Sequence, residues 1–364
     1  MGGRLSPGRI RPLRVPAVDP HDALLVRPPG ESPTVHGCGR RRGQALSGKI
    51  LLPHGGGEIR SPEGPALRRD GRPRRLAAPR RPGFFARPLA WMKLLKIGIS
   101  GVRGIVGESM TPKLAMDFAA AFGTYVGGRT VLLGRDTRIS SPLLRAASLA
   151  ALTSTGCDVL DLGVCPTPLL QYSVRTGGRR LGARGGVSIT AGHNDIAWNA
   201  LAFIGPEGTA LNTFQGQEVL DIYHLGKFRK ASVGGIGRVR EDDGLAGRYF
   251  TGLARFCRAG EVRRAGLKVV VDGVNGAAAP YLAPFADALG FTLVPVNDEP
   301  NGFFPHDPEP RPRNAQQVVA VIKAVGAQAG FLLNSDASRV SVVAEDGEPL
   351  SEEYTFPLVA NDYL

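Results

Sequence analysis

From about residue 95 onward, short apolar runs alternate with stretches of helical period. Val131–Gly134 (VLLG), Cys157–Gly163 (CDVLDLG) and Val187–Ile189 read as short buried strands. Between them, Leu114, Phe118, Ala121, Phe122 and Tyr125 share one helical face behind Thr111-Pro112, an N-cap followed by proline at the first helical position. Ser141-Pro142 opens the next helix in the same way. Strands alternating with helices predict an α/β fold whose strands are buried on both faces. Further on, Leu267–Leu282 (LKVVVDGVNGAAAPYL) reads as a strand, a glycine-rich turn and a helix, and Phe291–Asn297 (FTLVPVN) as the next strand. This βαβ spacing predicts a second domain with a parallel sheet. The glycine-rich, polar stretch Gly234–Asp243 is the expected boundary between the two.

Composition changes the picture at the front of the chain. The 364 residues carry a formal net charge of +13. Residues 1–91 hold 18 Lys and Arg against 6 Asp and Glu, a balance of +12, which leaves the remaining body near neutral at +1. The same head holds 14 of the 29 prolines and shows no helical or strand period. Runs such as Gly39–Gly43 (GRRRG) cannot bury enough apolar surface to offset the entropy of ordering, so the head is expected to be disordered. Aromatic residues are nearly absent from it before Phe84, which argues against a nucleic-acid-binding tail; such a tail would show a steep salt dependence. No nucleic-acid partner is expected from the near-neutral body. Acidic residues at Asp19, Asp22, Glu31 and Glu58 argue against a transit peptide. The abrupt change in composition makes Met92 a candidate natural start, with the head as translated upstream sequence. Cys38, Cys157, Cys165 and Cys257 show no CxxC spacing and read as free thiols in a reducing cytoplasm. No run approaches the roughly 18 apolar residues of a membrane span, so no membrane partner is expected. The oligomeric state is left open.

Candidate chemistry concentrates at turns that follow strands. Gly185–Asp195 (GGVSITAGHND) delivers a tight polar loop at the carboxyl end of its strand, where ligands bind in open α/β sheets. Lys96–Gly107 (KIGISGVRGIVG) is a glycine-punctuated loop around Arg103; backbone N–H groups and one guanidinium suit a phosphate. Arg135–Arg138 (RDTR) follows a buried strand, and Arg135 with Asp136 is expected to form a buried ion pair. His306 and Asp307, in the proline-rich loop Asn301–Asn314 (NGFFPHDPEPRPRN), read as a loop contact.

Taken in order, these segments resemble the α-D-phosphohexomutases, the family of phosphoglucomutase, phosphomannomutase and phosphoglucosamine mutase. Lys96–Gly107 is similar to the family's N-terminal T-S-G-x-R-G loop, and RDTR to its G-R-D-T-R segment. Pro166–Gln171 (PTPLLQ) and Asn301–Asn314 match further segments. Thr190–Asp195 resembles T-A-S-H-N-P, the loop whose serine carries the transferable phosphate. The resemblance implies two α/β/α domains with mainly parallel or mixed sheets, over residues 92–243 and 244–344, and the start of a third over 345–364. It implies a Mg²⁺-dependent enzyme that moves phosphate between two oxygens of a hexose phosphate, of the phosphoglucosamine or phosphomannose type, through the phosphoserine. It assigns Arg103, His193 and the serine and lysine positions to catalysis, and Asn194 and Arg339 to phosphate or substrate. Phe331–Val340 (FLLNSDASRV) is similar to the metal loop, D-G-D-A-D-R in relatives, whose alternate carboxylates converge on one hard cation.

This chain departs from that pattern at the reacting atoms. Gly192 stands in the serine position and Ala202 in the lysine position. Of the three carboxylates only Asp336 remains, with Asn334 and Ser338 at the other two places. Ser188 and Thr190 are nearby hydroxyls, but displaced along the strand to another place or face. The third and fourth domains of the family, which carry the sugar-recognition and substrate-phosphate loops, are not represented beyond Leu364. The expectation is a degenerate, truncated member without mutase activity and with Mg²⁺ bound weakly or not at all. The alternative is a non-catalytic sugar-phosphate-binding or partner protein, in which Arg103, His193 and Arg339 hold a phosphate without turning it over. Tyr354, Phe356, Leu358 and Val359 are expected to form an exposed apolar patch.

Overall fold

The computed structural model describes residues 95–241 and 244–363. The disorder expected of residues 1–91 and the candidate start at Met92 lie outside the described residues.

The first half of the described chain builds a seven-stranded mixed sheet. Its elements in order are β1 (Lys96–Gly98), β2 (Gly101–Ile105), α1 (Pro112–Tyr125), β3 (Thr130–Arg135), α2 (Ser141–Ser154), β4 (Val159–Val164), α3 (Thr167–Leu181), β5 (Ala183–Ile189), β6 (Trp198–Ile204), α4 (Thr213–Leu225) and β7 (Val239–Glu241). The strand order is β1-β2-β6-β5-β3-β4-β7. The β5-β3-β4-β7 side is parallel and the β1-β2-β6-β5 side is antiparallel. The stretch around Arg103 is therefore an antiparallel strand pair rather than a loop. Glycines that look like loop punctuation here permit close pairing: a Cβ on Gly101 would collide with the Leu201 carbonyl oxygen of β6. The glycine-rich stretch 234–241 also closes with a strand, so the first sheet keeps the chain as far as Glu241.

The period-two pattern in the strands feeds two cores. Val131 and Leu133 of β3 pack with α1, α2 and α4 on one face, while Leu132 between them packs with α3 on the other. α1 begins as its sequence dictates, with the Thr111 hydroxyl accepting from the Leu114 N–H at 3.2 Å and Pro112 in the first turn. It then lays Phe118 and Phe122 on the sheet. Phe122 stacks on Phe203 of β6 at 4.7 Å between ring centroids, and Phe118 on Tyr223 of α4 at 4.0 Å.

The second half repeats the plan on a smaller scale. α5 (Leu245–Phe256) and α6 (Ala259–Ala265) lead into β8 (Lys268–Asp272), α7 (Leu282–Leu289), β9 (Thr292–Val296), α8 (Gln316–Val325), β10 (Ala329–Leu333) and β11 (Val340–Val343). The sheet order is β11-β10-β8-β9, with β10, β8 and β9 parallel. Val270 and Leu332 face α8; Val269, Val271 and Phe331 face α7. β9 departs from the expectation of burial on both faces. It is the sheet's edge, with Thr292 and Pro295 exposed, and its proline sits where a central strand would lose a ladder hydrogen bond. The last helix, α9 (Glu352–Tyr363), leaves Tyr354, Phe356, Leu358 and Val359 between 54% and 78% exposed. Among the described residues, no helix is long and apolar enough to cross a membrane.

Phe122, fully buried in the aromatic stack, tests the larger core. Phe122→Ala should destabilise the chain by about 3–5 kcal/mol, read as a lowered urea midpoint.

Candidate functional site

The carboxyl ends of β3, β4, β5 and β10 converge. β3 delivers the turn 136–138, β4 delivers Thr167, β5 delivers 190–195, and β10 delivers 334–339. This is the end of a parallel sheet at which ligands are held.

Two residues organise the turn. Asp136 and Arg138 are both fully buried and form an ion pair, Nε to Oδ2 at 2.9 Å. Arg138, not Arg135, is thus the partner of Asp136; the Arg135 guanidinium donates only to the Asp136 carbonyl, at 3.0 Å. The Asp136 side chain folds over its own turn and accepts the Arg138 N–H at 3.1 Å, which puts it within reach of the i+2 side chain rather than of the i−1 one. It also accepts from Ser141, Thr190 and Ser335. Burial raises the Asp136 carboxyl above the ordinary carboxylate value, against the lowering pull of Arg138, Ser141 and Thr190. The rest of the Arg138 guanidinium donates to the carbonyls of Gly192 (3.0 Å), Asn194 (2.6 Å) and Asp195, and the Phe304 ring lies 5.0 Å away across it. One arginine therefore fixes the backbone of the 192–195 loop.

Gly192 sits at φ +56° with its carbonyl accepting from the Ser335 hydroxyl at 2.7 Å. A Cβ at this position would point across the seam, 3.5 Å from Asn334 Nδ2 and 4.0 Å from the Asp336 carboxylate. The serine position and the metal-loop positions thus face each other. Thr190, the neighbouring hydroxyl on the same strand end, is occupied: its Oγ1 donates to Asp136 and accepts the Gly192 N–H. Ser188 is buried against the Thr167 hydroxyl at 3.1 Å.

The 334–338 loop closes on itself. The Arg339 N–H donates to Asn334 Oδ1 at 3.0 Å, Asn334 Nδ2 donates to the Ser338 hydroxyl at 3.2 Å, and that hydroxyl donates to Asp336 Oδ1 at 2.7 Å. Thr167 takes the other side of Asp336: its hydroxyl donates to Oδ2 at 2.8 Å and its N–H to the Asp336 carbonyl at 2.9 Å. Among the described residues, no group of three or more His, Cys, Asp or Glu side chains is placed to hold a metal.

The cations lie around this seam. Arg103 lines a cleft of about 300 Å³ with Thr190, Ala191 and Ala202. Ala202 is paired in register with Gly101 and with Ser188, so it stands beside the β2 strand that carries Arg103. His193 is half-buried; burial lowers its imidazole below the ordinary value, aided by the charges of Arg339 and Arg103 and opposed by Glu309 and Asp336. His193 is therefore neutral at neutral pH. None of the described hydrogen bonds or ion pairs engages the guanidinium of Arg103 or of Arg339. Asn194 is turned inward: its amide donates to the Ala191 carbonyl at 2.6 Å and closes its own turn. Sequence reasoning missed Arg138, Ser335 and Thr167. RDTR carries a usable signal for the first, an acidic residue two positions before an arginine at a strand end.

The loop 301–314 reaches the seam from the second sheet. A Cβ on Gly302, at φ +75°, would collide with the Thr137 carbonyl oxygen, so only glycine allows this approach. His306 anchors the loop, with Nε2 3.0 Å from the buried Asp272 carboxylate and Nδ1 2.8 Å from the Asp307 carbonyl. Both contacts are acceptors, so the imidazolium satisfies both.

Two outcomes follow. Removing Arg138 leaves Asp136 buried and unpaired, so Arg138→Ala should cost about 3–5 kcal/mol in urea unfolding, whereas Arg103→Ala should cost little. For His306, burial pulls the imidazole down, but the hydrogen bonds to Asp272 and the Asp307 carbonyl, with the charges of both residues, together outweigh it and the net shift is upward from 6.5. Its contribution is full below 6.5 and is lost as pH rises through the raised folded value. The stability difference between the native chain and His306→Gln should therefore shrink with rising pH above that point, measured by urea unfolding at a series of pH values; a difference that grows would contradict the assignment.

Residues 94–230 match the family model for phosphoglucomutase/phosphomannomutase alpha/beta/alpha domain I, and residues 247–347 match that for domain II. A phosphoglucomutase/phosphomannomutase of Thermococcus kodakarensis is 35% identical over 273 residues, covering 73% of this chain and 59% of the relative. A probable phosphoglucosamine mutase of Methanopyrus kandleri is 35% identical over 268 residues, covering 73% and 58%. Among solved structures, a phosphoglucomutase/phosphomannomutase family protein from Burkholderia thailandensis superposes with a TM-score of 0.63 at 30% identity, covering 73% of this chain and 58% of that one. The chain thus spans a little under three-fifths of the length of these relatives. With both domain models matched in order and the corresponding loops meeting at one seam, the chain belongs to the phosphoglucomutase/phosphomannomutase family.

Proposed function

We propose that this chain is a catalytically silent phosphohexomutase-family protein that holds a hexose phosphate, of the glucosamine or mannose type, without transferring its phosphoryl group. The observation that carries this reading is the absence of a usable nucleophile where the two loops meet. Position 192 is glycine, and the hydroxyls packed around it, Thr190, Ser335 and Ser188, are buried and already hydrogen-bonded. The 334–338 loop does not fit Mg²⁺ either. A hard cation that dehydrates reluctantly needs several oxygen ligands, and here one carboxylate remains, with its oxygens committed to Thr167 and Ser338. What remains is suited to an anion. Arg103 and Arg339 supply unengaged guanidiniums, and neutral His193, which feels the charge of both, supplies a ring N–H donor. The free thiols of Cys157, Cys165 and Cys257 are in keeping with a reducing compartment such as the cytoplasm.

A coupled assay on phosphoglucose, phosphomannose and phosphoglucosamine substrates, with a bisphosphate activator and Mg²⁺, should show no turnover. Gly192→Ser alone should not restore it. The added side chain has space, but it faces the Asp336 carboxylate and forces a non-glycine residue into the left-handed region, at a cost of roughly 1–2 kcal/mol. In calorimetric titrations the same hexose phosphates should bind equally with Mg²⁺ or EDTA, and Arg103→Ala or Arg339→Ala should each weaken binding about tenfold or more, the worth of one charged hydrogen bond. Turnover by the unmodified chain, abolished by Asp336→Ala, would overturn the reading. Failure of every hexose phosphate to bind would leave silence as a partner protein.

A further inference from the structure

Behind the seam lies a cavity that the site chemistry does not use. It is a half-open cavity of about 300 Å³ between α5, α7, the β8–β10 face and the turn after β4. Its walls are aromatic and aliphatic, with Tyr249, Phe250 and Leu253 from α5 and Phe331 and Leu333 from β10. No Asp, Glu, Lys, Arg or His lines it. Its polar edge is the Tyr281 hydroxyl, which donates to the Val164 carbonyl at 2.9 Å; burial pushes this phenol up to about 12, so it stays neutral. A volume at the lower end of the range for small-ligand sites, aromatic rings among the lining residues and no charged side chain suit a small apolar molecule.

The position of the cavity gives it a consequence. Pro166 and Pro168 line it, and they flank Thr167, whose N–H and hydroxyl hold Asp336. Ala337 also lines it, directly after Asp336, and is held at φ +55°, a left-handed conformation that alanine adopts only under constraint. The wall of the cavity and the front of the site are thus the same two short segments seen from opposite sides.

We propose that this cavity is a binding site for a small, uncharged, planar aromatic molecule, and that its occupation is communicated through Ala337 and the Pro166–Pro168 turn to the Thr167–Asp336 contact at the site. The proposal is independent of whether the front of the site takes a hexose phosphate.

Indole serves as the probe, titrated into the full-length chain and followed by amide resonances. Saturable one-to-one binding is expected, with shifts at Ala337, Asp336 and Thr167 as well as in α5. Leu253→Trp fills the cavity from the α5 side and Val340→Phe from the β11 side, and each should weaken indole binding by about tenfold or more. Both positions are only half-buried, so at least one variant should retain the native unfolding midpoint and the native amide spectrum outside the cavity. Non-saturable binding, or binding unchanged in a folded filling variant, would overturn the site. Saturable binding with shifts confined to α5 and α7 would overturn the coupling to the seam.

Discussion

A single buried charge pair constrains the rest of the molecule's working end. Placing the Arg138 guanidinium and the Asp136 carboxylate out of water is costly, and the expense is recovered only if nearly every donor and acceptor finds a partner. Those partners are the carbonyls of Gly192, Asn194 and Asp195, the hydroxyls of Ser141 and Thr190, and Ser335 from the other sheet. The loop geometry is therefore not an independent feature. It is the arrangement in which the pair is satisfied, and the second sheet is drawn to it because Ser335 completes the set.

The places where this chain departs from the family pattern that its sequence resembles form a physically consistent group. Three carboxylates in one short loop repel one another unless a cation sits among them. With Asn334 and Ser338 in two of the places, the loop instead becomes a chain of neutral donors and acceptors ending on one carboxylate, and it holds its shape through its own hydrogen bonds. Glycine at 192 removes the side chain that would have faced it. Alanine at 202 removes bulk beside Arg103. Among the described residues, the guanidiniums of Arg103 and Arg339 have no carboxylate partner, which is the property the proposed function uses.

Much of this was legible in the sequence, and the misses have physical reasons. Period-two apolar runs such as Val131–Leu133 marked the strands, because alternate side chains feed two different cores. The strand pair at Lys96–Ile105 was hidden because its glycines serve interstrand contact, whereas the same residues more often mark turns. The resemblance to the family's motifs implied that Arg103, His193, Asp336 and Arg339 share one region, without any account of what positions them. The partner of Asp136 was misassigned because adjacency in sequence is a poor guide within a turn that folds back on itself. Ser335 and Thr167 were invisible for a different reason. A hydroxyl carries no pattern, and the contacts that matter here are to atoms more than a hundred positions away.

Those separations also bear on how the chain comes together during synthesis. The contacts that knit the seam span 143 residues between Gly192 and Ser335, 169 between Thr167 and Asp336, and 199 between Asp136 and Ser335. Helix and strand neighbours within the first sheet are far closer in sequence, and loop-closure entropy favours them first. The first sheet can thus assemble on the ribosome with the Gly192 carbonyl and the Asp136 carboxylate lacking their last donor. Ser335 is made late, after Asn275 and Tyr281 have already met Thr137 and Val164 across the two sheets, so its contacts are among the last to close the seam. Translation pauses before residue 335 would prolong the interval in which that polar surface stands open to other donors.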